Sequence, residues 1–194
     1  MAMSVLIVPG LGGSEENHWQ THLERSLPGA ARVEQDDWDN PWPSQWLERL
    51  ANAVVARPGA LIVARSLGCP LVAHLAVRRP GLCIAGALLV APADVDSARH
   101  TPSRVRNFAP VPREPLPFPS IVVGSTNDPF IKIERARELA ADWNSIFVDA
   151  GACGHINVAS GFGRWRAVER LIERLATVAG VARPATLVSA GGSC

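Results

Sequence analysis

The sequence predicts an α/β fold in which helices cover both faces of a parallel, doubly wound sheet. Six short apolar runs recur along the 194 residues, and segments with helical periodicity separate them. Several runs are apolar on both alternating faces, as expected for strands that helices cover on both sides. The strands of an antiparallel sheet with one solvent-exposed face would instead alternate apolar and polar residues. We therefore predict six parallel strands in the spatial order 2-1-3-4-5-6.

Each element follows from a local pattern. The predicted strands are SVLIVP (4–9), ARVEQ (31–35), ALIVAR (60–65), GALLVAP (86–92), SIVVGST (120–126) and SIFVDA (145–150). The predicted helices cover 15–27, 44–56, 67–79, 129–142 and 162–178. The last one places Val168, Leu171 and Leu175 on one face, so it should pack on the sheet. Segment 95–119 is rich in proline and has no strong period, which predicts a loop-like insertion with one short helix.

Composition limits the class of protein. Hydrophobic residues make up 47% and charged residues 19%, which indicates one globular domain over 1–182 with a flexible tail at 183–194. A net charge of +1 gives no indication that the protein binds nucleic acid or an anionic membrane. The four cysteines show no CxxC spacing, so we expect reduced thiols. The N-terminus has no basic region before a long apolar run, so we expect a soluble, cytoplasmic protein.

The third predicted strand passes directly into a helical pattern at Ser66. Segment 64–68 reads Ala-Arg-Ser-Leu-Gly, a variant of the nucleophile elbow G-x-S-x-G with Ala64 in place of the first glycine. In this elbow, a sharp turn exposes the serine hydroxyl at the carboxyl edge of the sheet. Taken alone, so short a pattern also fits a plain turn or a serine that caps a helix.

An acid and a base follow in the chain order that such a serine requires. Asp128 comes after the fifth predicted strand and His155 comes after the sixth, and both ends belong to the same sheet edge. Asp128 also fits a helix N-cap before Pro129, and His155 also fits an ordinary loop histidine. The three residues occur in the chain order that a catalytic triad on this fold requires, and all three follow strands that end at the same edge of the sheet. We therefore predict Ser66 as nucleophile, His155 as base and Asp128 as the acid that orients the base.

Backbone amides are predicted to stabilise the oxyanion. The N–H of Leu67 follows the nucleophile, and the N–H of Leu11 lies in the glycine-rich loop after the first strand. The same loop does not match a dinucleotide fingerprint, since position 15 holds Glu15 instead of glycine. His18 and His22 have the spacing of a zinc helix but lack its glutamate and a third ligand, so we interpret them as surface or loop-packing residues. No metal and no cofactor are predicted.

Four motifs together resemble those of a known family. They are VPGLGGSEENHWQTHLE, ARSLGC, NDPF and GHIN. The sequence resembles the small serine hydrolase family of the α/β-hydrolase superfamily that includes retinoblastoma-binding protein nine. The resemblance spans nearly the whole chain and implies a compact α/β-hydrolase fold without a large lid. It also implies Ser66 as nucleophile, Asp128 as acid and His155 as base. One position departs from the family, in which histidine commonly precedes the nucleophile: here it is Arg65.

The predicted function is that of a carboxylesterase-like serine hydrolase that cleaves a small ester, thioester or amide through an acyl-enzyme. The short insertion predicts an open, shallow site, with Trp19, Phe118 and Phe130 as candidates for its walls. The partner is then a small acyl substrate, and nothing indicates a protein partner. The alternative is a non-catalytic binding or scaffold protein on the same fold, which would use the tryptophan-rich segment 36–46 as its interaction surface.

Overall fold

One six-stranded sheet organises the chain, and the computed structural model describes it over residues 3–181. The strands are β1 Val5–Val8, β2 Ala30–Arg32, β3 Ala60–Arg65, β4 Ile84–Val90, β5 Ser120–Gly124 and β6 Ile146–Asp149. Their order is β2-β1-β3-β4-β5-β6, and every neighbouring pair is parallel. The predicted fold class and strand order are confirmed. The tail predicted at 183–194 lies outside the described residues.

Residues 3–181 also form five α-helices and two 3₁₀ helices. They are α1 Trp19–Ser26, α2 Pro43–Ala56, α3 Gly68–Arg78, α4 Ile133–Asp142, α5 Ala167–Val178 and the 3₁₀ helices Ser103–Phe108 and Val158–Ser160. Within residues 3–181, no helix is long and apolar enough to cross a membrane. Cys69, Cys83 and Cys153 are free thiols.

Three helices begin several residues later than the sequence predicts. Helix α5 begins at Ala167 instead of residue 162, and in α1 and α4 a polar side chain replaces the first turn. Helix α1 begins at Trp19 instead of residue 15, since the Nδ1 of His18 accepts the N–H of Gln20 and caps the helix there. Helix α4 begins at Ile133 instead of residue 129. The residues before it form a turn in which a carboxylate oxygen of Asp128 accepts the N–H of Phe130.

The sheet is buried on both faces, which explains why its strands read as continuous apolar runs. Along β3, Leu61 and Val63 pack into the core under α1 and α5, whereas Ile62 and Ala64 pack into the core under α2, α3 and α4. All four side chains are fully buried. This sandwich fixes the carboxyl ends of the strands as a rigid edge, and that edge carries the polar side chains described below.

The insertion at 95–119 is anchored to the domain. Its 3₁₀ helix buries Val105 and Phe108 in the core under α2 and α3, and the Phe108 ring meets the Trp46 ring edge-on at a centroid distance of 5.9 Å. The predicted short helix is therefore present. The hydroxyl of Thr101 donates to the carbonyls of Asp94 and Ser97, which fixes the start of the insertion.

Candidate active site

Ser66 lies on the turn between β3 and α3. Its φ of 54° is in the left-handed region, which costs a residue other than glycine about 1–3 kcal/mol. Neighbouring backbone holds it there: its N–H donates to the carbonyl of Val90 at 3.0 Å, and its carbonyl accepts the N–H of Cys69 at 3.0 Å. The strained backbone lifts the hydroxyl out of the strand, which is the geometry that the elbow pattern predicts.

Small residues around Ser66 are required by close backbone contacts. A Cβ on Gly68 would lie 2.5 Å from the carbonyl oxygen of Val8, and a Cβ on Gly10 would lie 2.7 Å from the Cβ of Ser66. Neither contact can be relieved by a flexible side-chain end. The first glycine of the elbow pattern is replaced by Ala64, which is fully buried, so one methyl group fits at that position.

The structure brings Ser66, His155 and Asp128 together although they are far apart in sequence. The Nε2 of His155 lies 3.0 Å from the Oγ of Ser66. On the other side of the ring, Nδ1 lies 2.9 and 2.8 Å from the two carboxylate oxygens of Asp128. An ionised carboxylate only accepts hydrogen bonds, so the proton belongs on Nδ1 and Nε2 is free to accept from the serine hydroxyl.

Two polar residues that sequence reasoning missed hold the histidine loop in place. The Oγ of Ser160 accepts the N–H of His155 at 3.1 Å, and the Oδ1 of Asn127 accepts the N–H of Gly154 at 2.6 Å. Asn127 thus ties the loop after β6 to the loop after β5, which carries the acid. Its place in the NDPF motif was a signal that could have identified it.

Burial and charge set the ionisation of the imidazoles near Ser66. Burial lowers the pKa of His155, the hydrogen bond that its ring donates to Asp128 acts against this, and the charge of Arg65 lowers it further. The Nη2 of Arg65 donates to the carbonyl of His155 at 3.3 Å. The neighbouring His18 is also buried, and its pKa falls to about 3. His18 is therefore neutral at neutral pH.

A cavity of about 250 Å³ opens beside Ser66 and His155. Leu11 and Leu67 line it, and their backbone N–H groups donate no hydrogen bond within residues 3–181. The two amides lie close together, because a Cβ on Gly10 would be 3.1 Å from the nitrogen of Leu67. Both residues predicted to supply the oxyanion donors therefore line the cavity beside Ser66.

A family model described as serine hydrolase matches residues 5–174, a range that includes all of these site residues. The chain belongs to the serine hydrolase family. Its structure is similar to a protein from Pectobacterium atrosepticum described as a YdeN-like hydrolase, with 30% identity, a TM-score of 0.79 and coverage of 92% of this chain and 91% of that one.

Two further solved structures share the fold of this serine hydrolase. The ydeN gene product from B. subtilis is 19% identical with a TM-score of 0.73, and the alignment covers 91% of this chain and 100% of that one. A thermophilic esterase from Thermogutta terrifontis is 14% identical with a TM-score of 0.63, with coverage of 90% and 91%. No match was found among curated proteins.

Of the three wall candidates in this serine hydrolase, Phe130 lines the cavity, and its ring centroid lies 4.4 Å from that of His155. The other two do not. Trp19 is 1% exposed, and its indole N–H donates to the carbonyl of Ile156, so it supports the histidine loop from within the core. Phe118 is buried in the core under α2 and α3. The sequence identifies these residues as aromatic, but it does not show whether each ring lines the cavity or packs in the core.

The tryptophan-rich segment is mainly a packing element. Trp46 is 2% exposed, and its indole N–H donates to the carbonyl of Asp37. Trp38 packs edge-on against Trp46 at a centroid distance of 5.5 Å. Of these three tryptophans, Trp42 alone is largely exposed, at 62%. They therefore form no continuous apolar surface of the kind that the binding-protein alternative requires.

His18 and His22 have different environments. His18 is 1% exposed and caps α1, so it is a packing residue and not a surface residue, while His22 is half-buried on α1. Within residues 3–181, no cluster of three or more His, Cys, Asp or Glu side chains is arranged to hold a metal ion.

Proposed function

We propose that this serine hydrolase cleaves a small ester, thioester or amide through an acyl-enzyme on Ser66, with His155 as base and Asp128 as orienting acid. One observation carries the proposal. An unbroken hydrogen-bond path runs from the Asp128 carboxylate through the His155 ring to the Ser66 hydroxyl, and the hydroxyl borders a cavity. A serine is a weak nucleophile unless an adjacent base removes its proton, and this path supplies that base.

Each step has a residue to carry it. Ser66 Oγ attacks the carbonyl carbon while His155 Nε2 takes the hydroxyl proton, and the carbonyl oxygen becomes an oxyanion near the N–H groups of Leu11 and Leu67. Asp128 stabilises the imidazolium. His155 then gives the proton to the leaving group, and the bond to that group breaks. Water repeats the sequence on the acyl-enzyme, which releases the acid and restores Ser66.

The dimensions of the cavity favour small substrates. Its volume of about 250 Å³ is below the range of roughly 300–1,000 Å³ that is usual for small-molecule sites. Because alcohols and thiols leave more readily than amines, carboxylesterase-type chemistry is the activity we expect first. The insertion at 95–119 contributes Thr101, Arg104 and Val105 to the wall but leaves the cavity open.

The pH profile should reflect the buried histidine. The base must be neutral to accept a proton, so activity should fall as pH decreases through the pKa of His155. Burial and Arg65 lower this pKa from 6.5, and the acid limb of kcat/KM should therefore have its midpoint below pH 6.5. Stopped assays of a p-nitrophenyl ester between pH 4 and 8 measure it. A midpoint at or above the ordinary histidine value would contradict this assignment.

A fluorophosphonate probe tests the proposal directly, because it reacts with an activated serine. Wild-type protein should be labelled and Ser66→Ala should not. Ser26→Ala is a matched control, since Ser26 is an exposed serine at the end of α1 and does not line the cavity. Equal labelling of wild type and Ser66→Ala, or no labelling of either, would refute the role of Ser66. Short and long p-nitrophenyl esters would then define acyl-chain preference.

A further inference from the structure

The cavity beside Ser66 is positively charged. Among the described residues that line it, Arg65 and Arg104 carry a formal charge, and none is an aspartate or a glutamate. His155 also lines the cavity and is neutral at neutral pH because its pKa is lowered. The residues that line the cavity therefore include two arginines and no acidic residue.

Arg65 is a buried cation that forms no ion pair within residues 3–181. The residue is 6% exposed. Its Nη2 is bound to the carbonyl of His155, whereas its Nε is buried with no hydrogen-bond partner among the described residues. Burial lowers the pKa of Arg65 to about 10, so the group is still charged at neutral pH. An unpaired buried charge is costly, and a bound anion would remove much of that cost.

Asp128, the acid with the strongest electrostatic effect on Arg65, already accepts hydrogen bonds from other residues. Asp128 exerts the strongest opposite field on the guanidinium, and Glu15 exerts a weaker one. The oxygens of Asp128, however, accept hydrogen bonds from the His155 ring and from the N–H of Phe130. Asp128 therefore offsets part of the charge through space without occupying the donors of Arg65. With Arg104 included, the site keeps an excess of positive charge.

Arg104 places a second cation where it remains accessible. It is exposed and forms no ion pair within the described part of the chain. The 3₁₀ helix that carries it is anchored by its buried neighbours Val105 and Phe108, so its position relative to the cavity is fixed by the fold. A buried and an exposed arginine thus line the same small cavity.

We infer that the substrate is a small ester or thioester with a second, unreacting carboxylate, which Arg65 and Arg104 bind while Ser66 attacks the scissile carbonyl. The inference rests on the proposed function. A planar guanidinium matches a carboxylate with two parallel hydrogen bonds, and a cationic cavity also attracts anions from solution. Arg65 then acts in specificity as well as in holding the carbonyl of His155.

Two methyl esters of nearly equal shape test the charge preference. Monomethyl glutarate carries a carboxylate, and methyl 5-amino-5-oxopentanoate carries a neutral amide in its place. Wild-type kcat/KM should favour the anion by about thirtyfold, the product of about tenfold for a hydrogen bond to a charged group and about threefold for an exposed charge. The preference should decrease as ionic strength rises, because salt screens the exposed Arg104.

Charge-removing variants locate the preference. Arg65→Gln should reduce the anion-to-amide ratio by about tenfold and Arg104→Gln by about threefold, since Arg104 is exposed. Arg106→Gln is the matched control, because Arg106 is an exposed arginine on the same 3₁₀ helix and does not line the cavity. Its ratio should equal that of wild type. The ratio is the readout because loss of the bond from Arg65 to His155 would lower turnover of both esters.

The outcomes separate this inference from the proposed function. If the probe labels Ser66 and the two esters are hydrolysed equally, the carboxylate inference is wrong and the proposed function stands. A ratio unchanged in both Arg65→Gln and Arg104→Gln also overturns it. If Arg65→Gln does not fold, the anion-to-amide ratio of Arg104→Gln is the test. Protection of Ser66 from the probe by each ester is a second readout that needs no turnover, and stronger protection by monomethyl glutarate supports the inference.

Discussion

Replacement of His155 with alanine is expected to lower kcat for ester hydrolysis by about 10⁶-fold. In the proposed mechanism the imidazole, 3.0 Å from the Ser66 hydroxyl, takes the hydroxyl proton and returns it to the leaving group, so the variant loses both transfers. The residual rate would come from the oxyanion donors and from binding alone. Turnover of a p-nitrophenyl ester at neutral pH, with enzyme at high concentration, measures the loss.

His22→Ala is the matched control for His155→Ala. His22 is a half-buried histidine on α1 and does not line the cavity, so its loss should change kcat by less than about twofold. Thermal unfolding of His155→Ala establishes that the fold persists. A folded His155→Ala protein that retains more than about a hundredth of wild-type kcat would show that another group is the base.

Asp128→Asn is expected to lower kcat by about 10⁴-fold, as loss of the orienting carboxylate does in other enzymes with this arrangement. The carboxylate holds the proton on Nδ1, because both of its oxygens accept from that nitrogen. An asparagine can instead donate its amide N–H to Nδ1. The ring then carries its proton on Nε2, facing Ser66, and that nitrogen has no free lone pair to accept the hydroxyl proton.

The control for Asp128→Asn is Asp39→Asn, which removes the charge of an exposed aspartate that does not line the cavity. Its kcat should equal that of wild type, and so should its rate of labelling by the fluorophosphonate. Near-normal labelling of Asp128→Asn would mean that Ser66 is activated without the carboxylate. Asp128 would then be only the residue that forms the turn before α4.

The fold was predictable because its signals are local and repeated. Strands buried on both faces must be apolar throughout, so their runs stand out, and the parallel order follows from the helices between them. The beginnings of α1 and α4 were not predictable from periodicity alone. There, His18 and Asp128 bind backbone N–H groups and replace the first helical turn with a cap or a turn.

The positions of Ser66, Asp128 and His155 could be predicted because chain order and one sheet edge restrict which side chains can meet. The walls of the cavity could not. Trp19 and Phe118 are as apolar as Phe130, and only the packing of the helices decides which ring faces solvent. The hydrogen bond from Arg65 to the carbonyl of His155 joins residues on separate strand ends, a contact that no local pattern encodes.

In the proposed mechanism, Ser66 carries the acyl group between the two half-reactions. The most direct test is to quench a reaction with a p-nitrophenyl ester in acid, digest with trypsin and locate the adduct by fragmentation. Cleavage after Arg65 and Arg78 releases the peptide 66–78, SLGCPLVAHLAVR, which begins with Ser66. We predict an acyl group on Ser66 and not on Cys69 of the same peptide. An adduct at another residue, or none in an actively hydrolysing sample, would contradict the mechanism.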